Sequence, residues 1–524
     1  MTRVNYILTI EHSTPKQYEY IDRMIQPKVL YAHKDNKAVK ITFSEETFRK
    51  LADLYQMSYE DITFNQKLFL MDRMFNFGKL KANNMIDDYY VNRNMGQERL
   101  EKIILDTNVY NIFKFPILEV YKQYGTELAF YFDFVIYLSL WLSGLAVVGG
   151  LATVSQWRGS TIDTYASLVY SLFVSFWSIF WLKYWDRKVH LRNYQWNQNM
   201  HINQNIIEQQ QIDQIVDDNG GGGIVILRKS RLLSMLIQIP IFSIYLLAIF
   251  GINYLEVLDD TLSKILKGVV NTLFMIFFDT TFYKVARFMV KYEDHTYYSS
   301  YRDSLIIKHS IFNFLNTFLG LIYRTLIKQN ISELWVELMI QFALKEVAYR
   351  HVSNYFSRRF QKRFSIERMI NNYQTIINMF IYTIMFAWVF PPASIIFFLN
   401  NFVEVFSDIR EFIRYKNIIP NEARDIGIWR SILELLSFGS ITINGLFVVF
   451  NSDLFPNFDQ KEKLLIVIGL EHIFIIFKYT LNIIVPTYPN KLRSLVKKEF
   501  DLKRGALGQY SEAMVHDHHS NAIP

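Results

Sequence analysis

The chain has 524 residues, of which 51% are hydrophobic and 16% aromatic, yet 20% are charged, so long apolar runs must alternate with charged loops. It contains no cysteine, which excludes a disulfide framework, a thiolate metal site and a sulfur nucleophile. The class that remains is a multi-span membrane protein with sizeable aqueous segments, and its net charge of +7 suits an anionic leaflet but nothing in it points to nucleic acid. Residues 1–115 alternate short apolar runs (VNYILTI, KAVKITF) with polar helical stretches such as FSEETFRKLADLY, which predicts a small cytosolic α+β domain. The first residues have neither a signal-peptide apolar core nor an Arg-rich, acid-poor presequence, so the first membrane helix is expected to serve as the targeting signal.

Apolar stretches of spanning length follow at roughly 127–151, 164–184, 231–253, 265–290, 305–327, 331–355, 369–390, 393–412, 428–450 and 463–486. These predict an α-helical polytopic membrane domain of about ten transmembrane helices over residues 120–490, the sixth and eighth carrying the most charge. The loop charges fit an N-terminus on the cytosolic side. The inner loops include KYWDRKVHLR, KVARFMVKYEDH and RRFQKRFSIER, whereas the outer loops QWRGSTIDT, EVLDDT and NSDLFPNFDQKEK are poorer in basic residues. DDNGGGG at 217–223 reads as a flexible linker, since no Lys-Ser/Thr pair follows and no strand precedes, as a phosphate cradle would need. Residues 491–524 are expected to form a cytosolic tail in which HDHH is solvated rather than metal-bound.

The segment PPASIIFFLNNFVEVFSD carries Glu404 and Asp408 to membrane depth on one helical face. Ionisable groups at that depth need a partner charge, an ion or a water-filled path, so the pair nominates a functional site. The sixth span carries Lys345, Glu346, Arg350 and His351, which must face water, each other or a protein partner. Asn271 and Asp279 on the fourth span, and His309, Asn313 and Asn316 on the fifth, recur at helical spacing as polar stripes. Such stripes suit the wall of a polar groove, and equally interhelical hydrogen bonds that hold a bundle together.

Several longer segments carry a resemblance. They are YGTELAFYFDFVIYLSLWL, YWDRKVHLRNYQW, FYKVARFMVKYEDHTYYSSYRDSLIIK, VELMIQFA, FPPASIIFFLNNFVEVFSDIREF, ARDIGIWRSIL and EHIFIIFKYTLNIIVPTYP, together spanning most of residues 120–490. In these the chain resembles the anoctamins, dimeric ten-helix phospholipid scramblases and chloride channels activated by calcium. The resemblance implies a groove built by the third to seventh helices, open to the membrane in scramblases. It also implies a homodimer through the tenth helix around Glu471 and His472, although those two would equally form a local hydrogen-bonded pair within one bundle.

The resemblance further implies a calcium site, and here the chain departs from the pattern. Glu404, Asp408 and Asn354 match family ligands, but a sixth-helix Glu is replaced by Arg358, and a seventh-helix Glu pair falls on Asn372 and Thr375. Two carboxylates are few for an ion that prefers six to eight oxygen ligands, and a guanidinium opposes it. Calcium binding is therefore expected to be absent or weak, with Arg358 paired to Glu404 or Asp408 in its place. The family's glycine bend on the sixth helix maps to Ala348, the better helix former by about 1 kcal/mol, which removes a hinge. The expected function is calcium-independent scrambling or ion conduction. The alternative is a non-transporting structural or tethering subunit beside other membrane proteins. Scattered His, Asp and Ser residues without nucleophile or metal spacing argue against an enzyme. The endoplasmic reticulum or plasma membrane is the expected location, and internal signals leave a mitochondrial membrane open.

Overall fold

The computed structural model describes four short strands within residues 5–92, then residues 112–196, 261–291, 298–328, 331–353, 366–412, 423–452 and 455–487, with a few isolated positions besides. The predicted third span, the 217–223 linker and the 491–524 tail lie outside the described residues. The strands β1 (Asn5–Thr9), β2 (Tyr31–Asp35), β3 (Ala38–Thr42) and β4 (Asp88–Asn92) form an antiparallel sheet in the order β2-β3-β1-β4. In the register, Ile7 of β1 faces Lys40 of β3 on one side and Tyr90 of β4 on the other. Both predicted runs, VNYILTI and KAVKITF, thus supply strands, and the helices expected between them lie outside the described residues.

A short α1 (Ile117–Tyr124) leads through Gly125, at φ 90°, into the long α2 (Thr126–Gly159) and α3 (Tyr165–Gln195). Beyond the undescribed stretch come α4 (Thr261–Lys291), α5 (Tyr298–Tyr323) and α6 (Ile331–Gln341). The helix α5 ends in a π-helical turn, Arg324–Lys328, and α6 continues as a π-helical stretch, Phe342–Tyr349. Then follow α7 (Ile366–Met385), α8 (Ala393–Phe412), α9 (Ile428–Asn451) and α10 (Gln460–Ile484). Six of the described helices, α2 to α5, α9 and α10, are long and apolar enough to cross a membrane. The other long ones fall short for local reasons: α6 is broken by its π stretch, and α7 and α8 carry the polar residues of the interior.

The core is aromatic and centred on α7. Every residue from Met369 to Pro391 except Asn371 is buried. Tyr373 stacks on Trp429 of α9 at 5.4 Å and meets Phe134 of α2, which in turn packs on Trp181 and Trp185 of α3. Charged groups at helix ends are matched across helices. Asp133 of α2 receives Lys188 and Arg192 of α3 at 2.8 Å each, and Arg430 of α9 grips Asp186 of α3 through two nitrogens. Between α4 and α5, buried Glu293 accepts Lys308 at 2.7 Å, Ser304 at 2.7 Å and His295 at 2.8 Å. Helix α10 differs, since Leu465, Ile476, Tyr479, Ile483 and Ile484 all face outward. Glu471 accepts a hydrogen bond from Thr442 of α9 at 2.5 Å, while His472 bonds the Ile468 carbonyl of its own helix, so each is satisfied within one bundle and not by the other.

Among the described helices, α2 and α8 share the most extensive contact. Asn401 donates to Ser139 Oγ at 2.7 Å, and further along a Cβ at Gly149 would overlap Ser394 Oγ and lie 3.1 Å from the Pro391 carbonyl oxygen. Gly149→Val should therefore destabilise the protein by about 1–3 kcal/mol through overpacking. At Gly144, on the same helix, no atom lies within 4 Å of such a Cβ, so Gly144→Ala should be neutral or gain up to about 1 kcal/mol of helix propensity. Thermal unfolding of both variants in detergent checks the contrast; equal midpoints would mean that α2 and α8 are not in this contact.

Candidate functional site in the helical interior

Helix α7 places a polar stripe along one face at i, i+3, i+4 and i+7, namely Asn371, Gln374, Thr375 and Asn378, of which all but Asn371 are buried. Opposite it stand α4, α5 and the π-helical end of α6, and between them lies a cavity of about 300 Å³. Asp279 of α4, His309 and Asn313 of α5, Lys345, Glu346 and Arg350 from α6, and the α7 stripe line it. A membrane interior supplies no water to such groups, so their partners must come from the neighbouring helices.

Those partners form two connected sets. In the first, Asn313 donates to both Asp279 oxygens at 2.7 Å, while Lys345 and His309 approach the same carboxylate at 3.7 and 3.8 Å. Lys345 also donates to Thr317 at 2.5 Å, Glu346 accepts from Asn378 at 3.0 Å, and Gln374 donates to Asn313 and Asn378. Toward the other end of the same helices, Glu337 of α6 pairs with Arg324 and accepts from Asn271 of α4 at 2.6 Å. Tyr349 meets Thr280 at 3.2 Å, and a Cβ at Gly268 of α4 would lie 2.8 Å from Ile340 of α6, so α4 and α6 touch directly along their length.

The second set surrounds the carboxylate pair of α8. Glu404 faces the Arg350 guanidinium, Nε to Oε1 at 2.5 Å, with both side chains about nine-tenths buried. The same guanidinium donates to the Asn371 carbonyl at 3.1 Å and to Asn372 Oδ1 at 3.0 Å. Asn372 in turn donates to Asp408 at 2.9 Å and to the Tyr131 hydroxyl at 3.1 Å, and Tyr131 of α2 donates to Asp408. His351 bonds Asn400 of α8 at 3.1 Å.

Of the residues expected to line a groove, Asp279, His309 and Asn313 do line the cavity. Asn271 is committed to Glu337, and Asn316 donates to the Met275 carbonyl at 2.9 Å, so these two act as interhelical ties. Asn372 and Thr375 lie where the degenerate ligand set was expected, but Thr375 turns back onto the Asn371 carbonyl at 3.2 Å. Ala348 sits inside the π-helical stretch, so α6 departs from α-geometry there without a glycine. Asn354 and Arg358 lie outside the described residues; among the described residues the cation that meets Glu404 is Arg350. Its partner was not legible because five residues separate Lys345 from Arg350. In an α-helix that spacing puts them on different faces, whereas the i→i+5 bonding of a π turn brings them toward the same side.

Among the described residues no three His, Cys, Asp or Glu side chains gather as a metal site. The two carboxylates that do approach one another, Glu404 and Asp408, are already bonded to a guanidinium, a phenol and an amide. To gain Glu404, calcium would have to displace Arg350 and leave its charge buried, a loss of about 3–5 kcal/mol, and to gain Asp408 it would have to compete with Tyr131 and Asn372. Among the described residues, the side chains at this position are arranged as an ion pair and hydrogen bonds rather than as a set of calcium ligands.

Comparison with known proteins agrees with the architecture. A family model described as "Anoctamin: Calcium-activated chloride channel" matches residues 120–358 and 344–499. The chain is 22% identical to Anoctamin-10 of Homo sapiens over 443 residues, covering 74% of this chain and 66% of that protein. It is 25% identical to Anoctamin-10 of Danio rerio over 253 residues, 41% of this chain and 39% of the relative. With Anoctamin-7 of Rattus norvegicus it shares 20% identity over 396 residues, 61% and 45% of the two chains. The match thus spans less than two-thirds of the length of each of these relatives.

The Arg324–Glu337 pair provides a check on the interior that is independent of transport. Arg324→Met leaves Glu337 buried with only amide partners and should cost about 3–5 kcal/mol. Adding Glu337→Gln should restore much of that loss. Additive losses in thermal unfolding would show that the two side chains are not paired in the protein.

Proposed function

The chain belongs to the anoctamin family, and from that premise we propose that it is a calcium-independent phospholipid scramblase or ion channel whose path runs through the helices α4 to α7 and the third span. The observation that carries this reading is the cavity of about 300 Å³, lined by Asp279, His309, Asn313, Lys345 and Glu346 at the depth of membrane-spanning helices. A polar, charged wall lowers the barrier to a headgroup or ion that hydrocarbon would exclude. The calcium-independent part is supported by the commitment of Glu404 and Asp408 to side-chain partners. Ten spans, a cytosolic α+β domain at residues 1–115, basic loops on the cytosolic side and a homodimer through the outward-facing α10 complete the proposal, in the endoplasmic reticulum or plasma membrane.

A second reading is favoured by one feature, the direct packing of α4 on α6 through Asn271–Glu337 and Thr280–Tyr349. A bundle zipped in this way would serve as a structural or tethering subunit that keeps the fold without transport.

Reconstitution into liposomes, with scrambling and ion flux followed in calcium and in chelator, separates these outcomes. Equal activity in both conditions is expected, and activity confined to calcium would overturn the proposal. Flux in neither condition would favour the structural subunit. Asp279→Leu and Lys345→Leu, which strip charge from the cavity wall, should each lower flux by roughly tenfold, the equivalent of one lost charge-assisted contact.

A further inference from the structure

A metal ion at a site of this kind would join α6, α7 and α8 by drawing their oxygen ligands toward one positive charge. Among the described residues a positive charge already stands between those helices. Arg350 leaves the π-helical end of α6, forms an ion pair with Glu404 of α8, and donates hydrogen bonds from Nη1 to the Asn371 carbonyl and from Nη2 to Asn372 Oδ1 of α7. Through Asn372 the connection continues to Asp408 of α8 and to Tyr131 of α2. The charged groups that share the adjoining cavity are Lys345 and Glu346 on the same helix, Asp279 and Lys284 on α4, His309 on α5 and Arg368 on α7.

We propose that the Arg350 guanidinium is the resident cation of this site, a covalently tethered substitute for calcium that clamps α6 to α7 and α8 in a single arrangement. The proposal rests on the calcium-independent reading above and assigns it to one residue. A guanidinium suits the task because its planar fork donates to two acceptors in fixed directions while its charge meets a carboxylate, whereas a free ion must first be dehydrated and then held by several carboxylates. The π-helical stretch is what makes the reach possible, since it turns the end of α6 so that Arg350 points inward beside Lys345 and Glu346 rather than around the helix. A tethered cation has no off-rate, so the clamp is always closed, and the element that would respond to calcium elsewhere is here part of the fold.

The test measures thermal unfolding of the purified full-length protein in detergent, in chelator, in calcium chloride and in magnesium chloride. The unsubstituted protein should unfold at the same temperature in all three. Arg350→Glu replaces the clamp with a third carboxylate, so its midpoint should fall by several degrees in chelator and recover with calcium but not with magnesium. Arg350→Lys keeps the cation and should stay indifferent to calcium. Stabilisation of the unsubstituted protein by calcium would overturn the proposal, as would a folded Arg350→Glu protein that calcium leaves unmoved. Should that variant fail to fold, Arg350→Gln with radiolabelled calcium should bind at least roughly tenfold more tightly than the unsubstituted protein, as expected when a like charge leaves the site. Binding no tighter than that would overturn it. No flux is read in these measurements, so a protein that moves neither lipid nor ion still tests the clamp.

Discussion

Charges carried into a membrane domain must be neutralised by other parts of the same chain, and that constraint organises the interior of this protein. Helix α6 brings four ionisable groups inward in seven residues, Lys345, Glu346, Arg350 and His351, and among them they reach partners on α4, α5, α7 and α8. Lys345 reaches Asp279 of α4 and Thr317 of α5, Glu346 takes Asn378 of α7, Arg350 takes Glu404 of α8, and His351 takes Asn400 of α8. Stability alone does not explain such a design, because well-packed apolar residues often match or exceed a buried ion pair. What the pairs do impose is a single arrangement of the helices, since each one is satisfied only when its own two elements meet in register.

The rest of the fold supports that arrangement from outside. Helix α7 is enclosed on all sides, and its aromatic neighbours on α2, α3 and α9 hold it so that one face can stay polar. The α2–α8 contact, tight enough to need Gly149, places Tyr131 within reach of Asp408. Helix α10 buries Phe474 against Phe176 of α3 and Phe438 of α9 but turns Leu465, Ile476, Tyr479, Ile483 and Ile484 outward. The molecule therefore separates a rigid, aromatic half around α2, α3 and α9 from a polar half around α4, α5 and α6, with α7 and α8 common to both.

The polar half holds two properties in tension. A cavity bounded by Asp279, His309, Lys345 and Glu346 is a hydrophilic route in the making, while the ties Asn271–Glu337 and Thr280–Tyr349 keep α4 against α6. Transport through this region needs those ties to exchange partners with a headgroup or hydrated ion. Because the acceptors are amides, hydroxyls and carboxylates, a passing polar group can replace each of them at little net loss of hydrogen bonds.

Six spans were legible in the residues because crossing hydrocarbon demands about twenty apolar positions whatever the neighbours are, although α2 and α3 run on past their predicted ends to Gly159 and Gln195. The strands were legible for a similar reason, since alternation in VNYILTI and KAVKITF is a local property. The nomination of Glu404 and Asp408 also needed only the sequence, because a carboxylate at membrane depth is costly in any fold. Which cation answers them was not a local matter. Arg350 and Glu404 are far apart in the chain, and the π-helical stretch that aims Arg350 inward shifts the face of every residue after it, so counting at α-helical spacing does not find the pair. The same holds for Asn313, which both borders the cavity and ties α5 to α4 through Asp279 at 2.7 Å. Local physics set the elements and marked the charges as significant; only the packing of distant helices, through close approach and register, decided which charge neutralises which.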